Sequence, residues 1–350
     1  MNIRIDFDNY PYIVQWDKIL GKGGFGAVHP GYMEDDPEEQ IVVKEFFIDP
    51  NNPDIAIENW NDEIDAAMIL GMQNDTACNP YFVCFVGANV VKIDGKPIPV
   101  VAYKRAWGDL IRFIQTYRNT INDEVKYIFI TNMLTGLNIL RKHGLVHRDM
   151  KPENILAYRN REGWSFMISD LGSICSEKGD ILSCYANASN RTTIPYLPPI
   201  LRSKSNPIYV DDPILNGYRY EGVDIRGYSS IDDMKWADIY GMGCAIYSFL
   251  TGNTICTGIL HDKRPLYFND ISYVDREGIR HTINGTNLGV MLTYMLYSPT
   301  YDHAKRFETI QIYEQPRFVG SSLARNVTRT FNRAMRYRMK KSRRPKRKNK

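Results

Sequence analysis

The chain has 350 residues, enough for one large domain or two smaller ones around a substantial core. Its hydrophobic fraction of 43% and charged fraction of 24% are those of an ordinary globular protein, and no window approaches the ~18 consecutive apolar residues of a membrane-spanning helix. The net charge of +4 hides an asymmetry: residues 325–350 carry 13 Lys/Arg and no acid, which leaves 31 basic against 40 acidic residues in 1–324.

The opening MNIRIDFDNYPYIVQW carries acids and no apolar run of the kind a signal peptide needs. Six cysteines without a C-x-x-C pair point to reduced thiols and an intracellular setting, cytoplasmic or nuclear. Short β-branched or aromatic runs follow at 12–20, 26–32, 40–47, 82–91 and 98–104, separated by Gly, Pro, Asn and Asp, and they predict a small sheet. AIENWNDEIDAAMILGM (56–72) sets Ile57, Trp60, Ile64, Ala67, Met68 and Met72 near helical spacing, so one main helix accompanies the sheet. From Asp109 onward, amphipathic segments at 125–142, 234–251 and 288–298 predict a helical second part. The stretch 171–230 is rich in Ser, Asn, Pro and Gly and has no period, a pattern that marks a functional or disordered segment.

Four clusters carry chemistry. GKGGFGAV (21–28) is a G-x-G-x-x-G-x-V pattern lying between two predicted strands. Glycines there let backbone N–H groups close around phosphates without a Cβ clash, although a plain glycine-rich hairpin turn reads the same way. A dinucleotide-binding fingerprint would open into a helix, and AVHPGY with its proline does not. Next, IVVKEF places Lys44 in a strand with its stem flanked by apolar groups and its head free to reach an anion. The following helix offers Glu58, Glu63 and Asp65 as counter-ions, with Glu63, one turn before Ala67, facing inward.

HRDMKPEN (147–154) is the densest cluster. Asp149 is placed to accept a proton from an attacking hydroxyl, and Lys151 to neutralise a transferred phosphoryl group. Asn154 offers a neutral oxygen to a hard cation, while Pro152 keeps the segment out of a helix. In FMISDLGS, Asp170 ends an apolar strand, a good position for a magnesium ligand.

In this order the four clusters resemble those of eukaryotic-type serine/threonine protein kinases. The resemblance runs over roughly residues 16 to 315, and TTIPYLPPIL (192–201) and DIYGMGCAIYSFLTG (238–252) extend it. It implies an α+β, bilobal kinase fold. A small β-rich lobe of about 16–103 would carry one main helix, and a larger helical lobe would span about 107–315. It also implies ATP and Mg2+ as cofactors and a protein serine or threonine hydroxyl as acceptor. On the same ground Leu20, Gly21, Lys22, Gly23, Gly24, Phe25, Gly26, Ala27 and Val28 would cover the nucleotide. Lys44 would hold its α/β-phosphates and pair with Glu63. Asp149 and Lys151 would be catalytic, and Asn154 and Asp170 would hold the metal. Lys151, two residues after Asp149, marks the serine/threonine class in that family, and Thr193 matches the threonine that bonds the Asp–Lys pair. Arg148 would bind a phosphate on the activation segment, for which Ser189 and Thr192 are the candidate sites.

The departures are specific. Leu171 stands for the phenylalanine of D-F-G and keeps an apolar contact. Val42 stands where alanine usually meets the adenine. Ile200 replaces the glutamate of A-P-E, whose arginine partner would be Arg306. Either Ala102 or Tyr103 forms the back of the nucleotide pocket. A scaffold without turnover would be expected to lack Lys44, Asp149 or Asp170, and a small-molecule kinase would lack the K-P-E-N and Y-L-P-P contexts. Finally, Leu323, Val327, Phe331 and Met335 recur at i+4 beside Arg325, Arg329 and Arg333. Residues 323–350 are therefore expected to be a basic tail, part amphipathic helix and part disordered. Its candidate partners are a polyanion (nucleic acid or an anionic membrane surface) or the acidic body itself.

Overall fold

The computed structural model describes residues 1–8, 10–23, 26–49, 52–71, 78–160, 163–177, 193–198, 201, 208–210, 219–221, 230–252, 266–314 and 317–318. Gly24, Phe25, Ser189, Thr192, Ile200 and the basic tail 323–350 lie outside the described residues.

Seven strands dominate the N-terminal part: β1 (Asn2–Phe7), β2 (Tyr10–Gln15), β3 (Gly21–Lys22), β4 (Gly26–Met33), β5 (Asp36–Phe46), β6 (Phe85–Ile93) and β7 (Lys96–Lys104). They pair in the order β1-β2-β4-β5-β7-β6, with β3 on β4. The opening hairpin brings residues before 16 into this sheet, because NIRIDF alternates: Ile5 and Phe7 are buried, while Arg4 and Asp6 are exposed. The two ends of the sheet approach each other, and the Asn89 side-chain amide donates to the Asp6 carbonyl at 2.8 Å. Between them Ile5, Phe7, Tyr12, Val14, Ile41, Val43, Val100 and Ala102 form a core of their own.

The other face of the sheet receives α1 (Pro53–Ile69), which opens on a proline in its first turn. The helix buries Ala56, Glu63, Ala66 and Ala67, and Trp60 Nε1 donates to the Val100 carbonyl at 3.0 Å. Period 2 therefore sorts β5 between two environments. Ile41 and Val43 point into the second core, while Val42 and Lys44 point toward α1, opposite Tyr103 and Val101 of β7.

The remainder holds β8 (Gly108–Asp109), α2 (Leu110–Tyr117), α3 (Asp123–Lys142), β9 (Leu145–Val146), β10 (Ile155–Asn160), β11 (Gly163–Ile168), β12 (Cys175–Ser176), β13 (Ile208–Val210), β14 (Arg219–Glu221), α4 (Ile231–Thr251), β15 (Ile271–Val274), β16 (Ile279–Ile283), α5 (Gly285–Tyr297) and β17 (Arg317–Phe318). Polar caps start its helices: Asp109, Asn122, Ser230 and Asn284 accept from the N–H groups of Arg112, Val125, Asp233 and Asn287. α4 is buried nearly all round, as an apolar helix at the centre of a core must be. Phe249 of α4 stacks on Phe129 of α3 at 4.0 Å, and Phe166 of β11 meets both edge-on.

One expectation is corrected. Cys78 and Cys84 are joined by a disulfide at a Cα–Cα distance of 5.3 Å, and Cys175 is likewise disulfide-bonded, where reduced thiols were expected. The turn before β6 brings the first two within bonding reach. Cys244 is buried in α4.

Phe7 is 1% exposed in the second core, so Phe7→Ala is expected to lower stability by about 3–5 kcal/mol. Tyr10→Ala on the solvent side of the same hairpin should stay within about 0.5 kcal/mol of the parent. Urea midpoints of the two variants check this, and equal midpoints would show that the hairpin is not part of the fold's core.

Candidate active site

Lys44 projects from β5 toward α1, and its Nζ donates to two carboxylates, Glu63 Oε2 at 2.8 Å and Asp170 Oδ1 at 2.8 Å. Glu63 is fully buried, and its second oxygen accepts from the Tyr103 hydroxyl at 2.6 Å. The register separates the two candidates for the back of the nucleotide pocket: Tyr103 faces α1 and the Lys44 side of the sheet, while Ala102 points into the second core. Burial pulls the Lys44 ammonium down, but Asp170 and Glu63 outweigh it and hold its pKa above the ordinary value. The Lys44 ammonium in turn lowers Asp170 to about 2. Burial and then the Glu63 carboxylate push the Tyr103 phenol well up, so it remains a donor at neutral pH.

Asp170 has φ 59°, and it starts the turn Leu171–Ser173. Leu171 is fully buried in the core, so the apolar contact expected of it is made. Gly172 leaves the space the ion cluster occupies: a Cβ there would lie 2.8 Å from Glu63 Oε2.

The 147–154 loop is held by α4 and by the segment after Asp170. Its first two N–H groups, those of His147 and Arg148, donate to the two oxygens of Asp238 in α4 at 2.6 and 2.8 Å. Burial raises that carboxyl to about 6, opposed by the groups that donate to it. One turn along α4, a Cβ at Gly241 would sit 2.1 Å from the Met150 carbonyl oxygen, so only glycine lets helix and loop approach this closely. The buried Arg148 side chain donates to the Ser173 and Ile174 carbonyls, tying the loop to the segment after Asp170.

Within the loop, Asp149 collects donors. Thr193 gives its N–H at 2.9 Å and its hydroxyl at 2.7 Å to Asp149 Oδ1. Lys151 Nζ donates to Asp149 Oδ2 at 2.6 Å and to the Thr193 hydroxyl at 2.7 Å. The Asn154 amide group donates to the Asp149 carbonyl at 2.8 Å and to Oδ2 at 3.1 Å. That leaves Asn154 Oδ1 and the second oxygen of Asp170 as hard oxygen donors, the chemistry Mg2+ takes.

At the Gly-rich stretch, Leu20 donates to the Val28 carbonyl at 2.8 Å, and Gly21 and Lys22 pair with Val28 and Ala27. The Gly23 N–H closes the turn on the Gly26 carbonyl at 2.9 Å. The structure thus brings Lys44, Glu63 and Asp170 together, and separately Asp149, Lys151, Asn154 and Thr193, with the asparagine on both the aspartate's carbonyl and its carboxylate. The Tyr103 hydroxyl bond to Glu63 was not foreseen, although counting by twos from Val101 opposite Lys44 points to it. Arg306 is exposed on the turn Lys305–Thr309, and Ile200, the position it was matched to, lies outside the described residues.

A protein kinase domain family model matches residues 14–210. The chain is 26% identical over 250 residues to mitogen-activated protein kinase kinase kinase 1 of Arabidopsis thaliana, covering 70% of this chain and 34% of that protein. It is 25% identical over 239 residues to serine/threonine-protein kinase ATG1c of the same plant, covering 68% and 27% of the two chains. With serine/threonine-protein kinase 36 of Pongo abelii, identity is 23% over 236 residues, covering 67% and 14%. The chain therefore spans about a third or less of the length of each of these relatives.

Because Asp170 is held low, its ion pair stabilises the fold fully above the ordinary aspartate pKa of about 3.9, and the effect is lost as pH falls toward about 2. The difference in unfolding free energy between the parent and Asp170→Asn should be constant from roughly pH 8 to 5 and shrink below roughly pH 4. A difference that stays flat into strong acid would mean that the charge of Asp170 does not stabilise the fold.

Proposed function

We propose that this chain, which belongs to the protein kinase family, transfers the γ-phosphoryl group of ATP to a serine or threonine hydroxyl of a protein. The observation that carries the reading is Lys151 bridging Asp149 and Thr193 while Lys44 bridges Glu63 and Asp170. Asp149 accepts the hydroxyl proton as the substrate oxygen bonds to phosphorus and the bond to the β-phosphate oxygen breaks. Lys151, two residues away, meets the charge on the transferred group, and Lys44 orients the remaining phosphates. Asn154 and Asp170 would hold Mg2+, which supplies charge neutralisation at the phosphates when bound. The Gly-rich hairpin covers the nucleotide from above, with Leu20 and Val28 at its two strands.

The reading includes a bilobal domain over about 16–315. The smaller lobe, to about 103, consists of the sheet with α1, extended at its start by β1. The larger helical lobe runs from about 107. ATP would lie between them, above the 147–154 loop.

Incubation with γ-labelled ATP and a serine/threonine peptide library tests the activity. Asp149→Asn should lower kcat by about 100-fold or more, and Lys44→Met should lower kcat/KM for ATP by a similar factor. Acid hydrolysis of the product should yield phosphoserine and phosphothreonine. Phosphotyrosine alone, or undiminished transfer by Asp149→Asn, would refute the reading.

The basic segment 323–350 is the chain's polyanion-recruiting element in this reading, because RRPKRKNK has no apolar residue to fix a docked pose. Removing 323–350 should leave peptide kinetics at 0.15 M salt unchanged and abolish a steeply salt-dependent binding to nucleic acid or anionic vesicles. A severalfold kinetic change without any polyanion would assign the tail to the kinase body instead.

A further inference from the structure

Tyr103 is not among the groups that touch the transferred phosphoryl, yet it makes one of the shortest polar contacts around the site. Its hydroxyl lies 2.6 Å from Glu63 Oε1, and its ring packs edge-on against Phe85 at 5.7 Å. Glu63 has no exposure to water, so each of its oxygens needs a protein donor: Tyr103 serves Oε1 and Lys44 serves Oε2. We propose that Tyr103 is a positioning residue, whose hydroxyl holds the Glu63 carboxylate, and with it α1, in the arrangement that presents Lys44 to the nucleotide phosphates.

Lys44 is shared at equal distance by two carboxylates, Glu63 and Asp170. Asp170 is 43% exposed in its side chain and can be solvated without Lys44, whereas Glu63 at 1% cannot. With the phenol in place, Glu63 keeps both oxygens satisfied and Lys44 stays between the two acids. Without it, a bare buried oxygen on Glu63 favours any motion of α1 that lets water in, and Lys44 follows Asp170 alone. The phenol meets this role because burial and the neighbouring carboxylate keep it protonated. The bond also joins α1 to β7, the strand that leads directly into the connection toward β8, where Lys104 is fixed by the Cys84 carbonyl at 2.9 Å.

The proposal rests on the kinase reading for its kinetic consequence, but one arm of the test needs no turnover. Tyr103→Phe keeps the ring and removes only the donor. In the nucleotide-free full chain, amide hydrogen exchange in α1 should accelerate by on the order of ten- to a hundredfold, the range a lost hydrogen bond to a charged group supports, while exchange in α3 stays at the parental rate. In the phosphotransfer assay, kcat/KM for ATP should fall by on the order of tenfold or more with KM for peptide unchanged. In a Glu63→Gln background the same substitution should add little in either measurement, because both changes act through one contact. Tyr158→Phe, which removes a bond to the Lys104 carbonyl nearby, serves as the control and should alter neither. Parental exchange in α1 of Tyr103→Phe overturns the proposal, as does a full, additive effect in the Glu63→Gln background. A parent chain that transfers no phosphoryl group would sink the kinase reading, while the exchange experiment would still decide the role of Tyr103.

Discussion

A carboxylate removed from water has to be met by donors, and two such groups organise this molecule. Glu63 on α1 and Asp238 on α4 are both almost wholly buried, and neither is satisfied from its own helix. Glu63 takes its donors from β5 and β7, and Asp238 takes its from the backbone of the 147–154 loop. An unpaired buried carboxylate is costly enough that these bonds must be kept for the fold to be kept. The result is two rigid junctions, one fixing α1 against the sheet and the other fixing the loop that carries Asp149. Asp170 is tied to the first junction through Lys44, and Asn154 to the second through Asp149.

The sheet's period turns the first junction into a site. Along β5, Ile41 and Val43 anchor one face in an apolar core, so Lys44 has to emerge on the other. A slip of one residue would bury the ammonium among Phe7, Val14 and Val100 and expose a valine to the cleft. The β1–β2 hairpin matters for the same reason. It closes the second core that pins the register, and so bears on the aim of Lys44 from the far side of the sheet.

Residues whose chemistry requires a particular type at a particular spacing were legible before any coordinates. Lys44, Glu63 and Asp170 meet in one cluster, and Asp149, Lys151, Asn154 and Thr193 in another. What escaped was set by tertiary context. NIRIDF alternates well enough to be a strand, but its acids and its place before the Gly-rich motif hid it, and only the pairing with β2 shows its apolar face. ISYV and IRHTI, now β15 and β16, are too short and polar to stand out, and they are held by packing, as where Tyr273 meets Tyr127 of α3 at 5.3 Å. α1 runs from Pro53 to Ile69 rather than 56–72 because a proline suits a first helical turn and Gly71 ends the run. The choice between Ala102 and Tyr103 needed the register of β7 on β5, which a single sequence does not contain. The disulfide at Cys78 and Cys84 depends on a turn that brings two residues together.

The division of labour between the two acids beside Lys44 follows from their exposure. Glu63 is sealed and can only hold. Asp170 is partly exposed and kept ionised by Lys44, which takes one of its two carboxylate oxygens. Lys44, Glu63 and Asp170 together carry one positive charge and two negative ones, an imbalance that the neutral phenol of Tyr103 spreads but does not cancel. In the proposed reaction, a divalent cation at the second oxygen of Asp170 would reverse that imbalance where the nucleotide phosphates would lie. The same buried carboxylate that fixes α1 thus leaves its exposed neighbour with the charge that the proposed metal ligand would need.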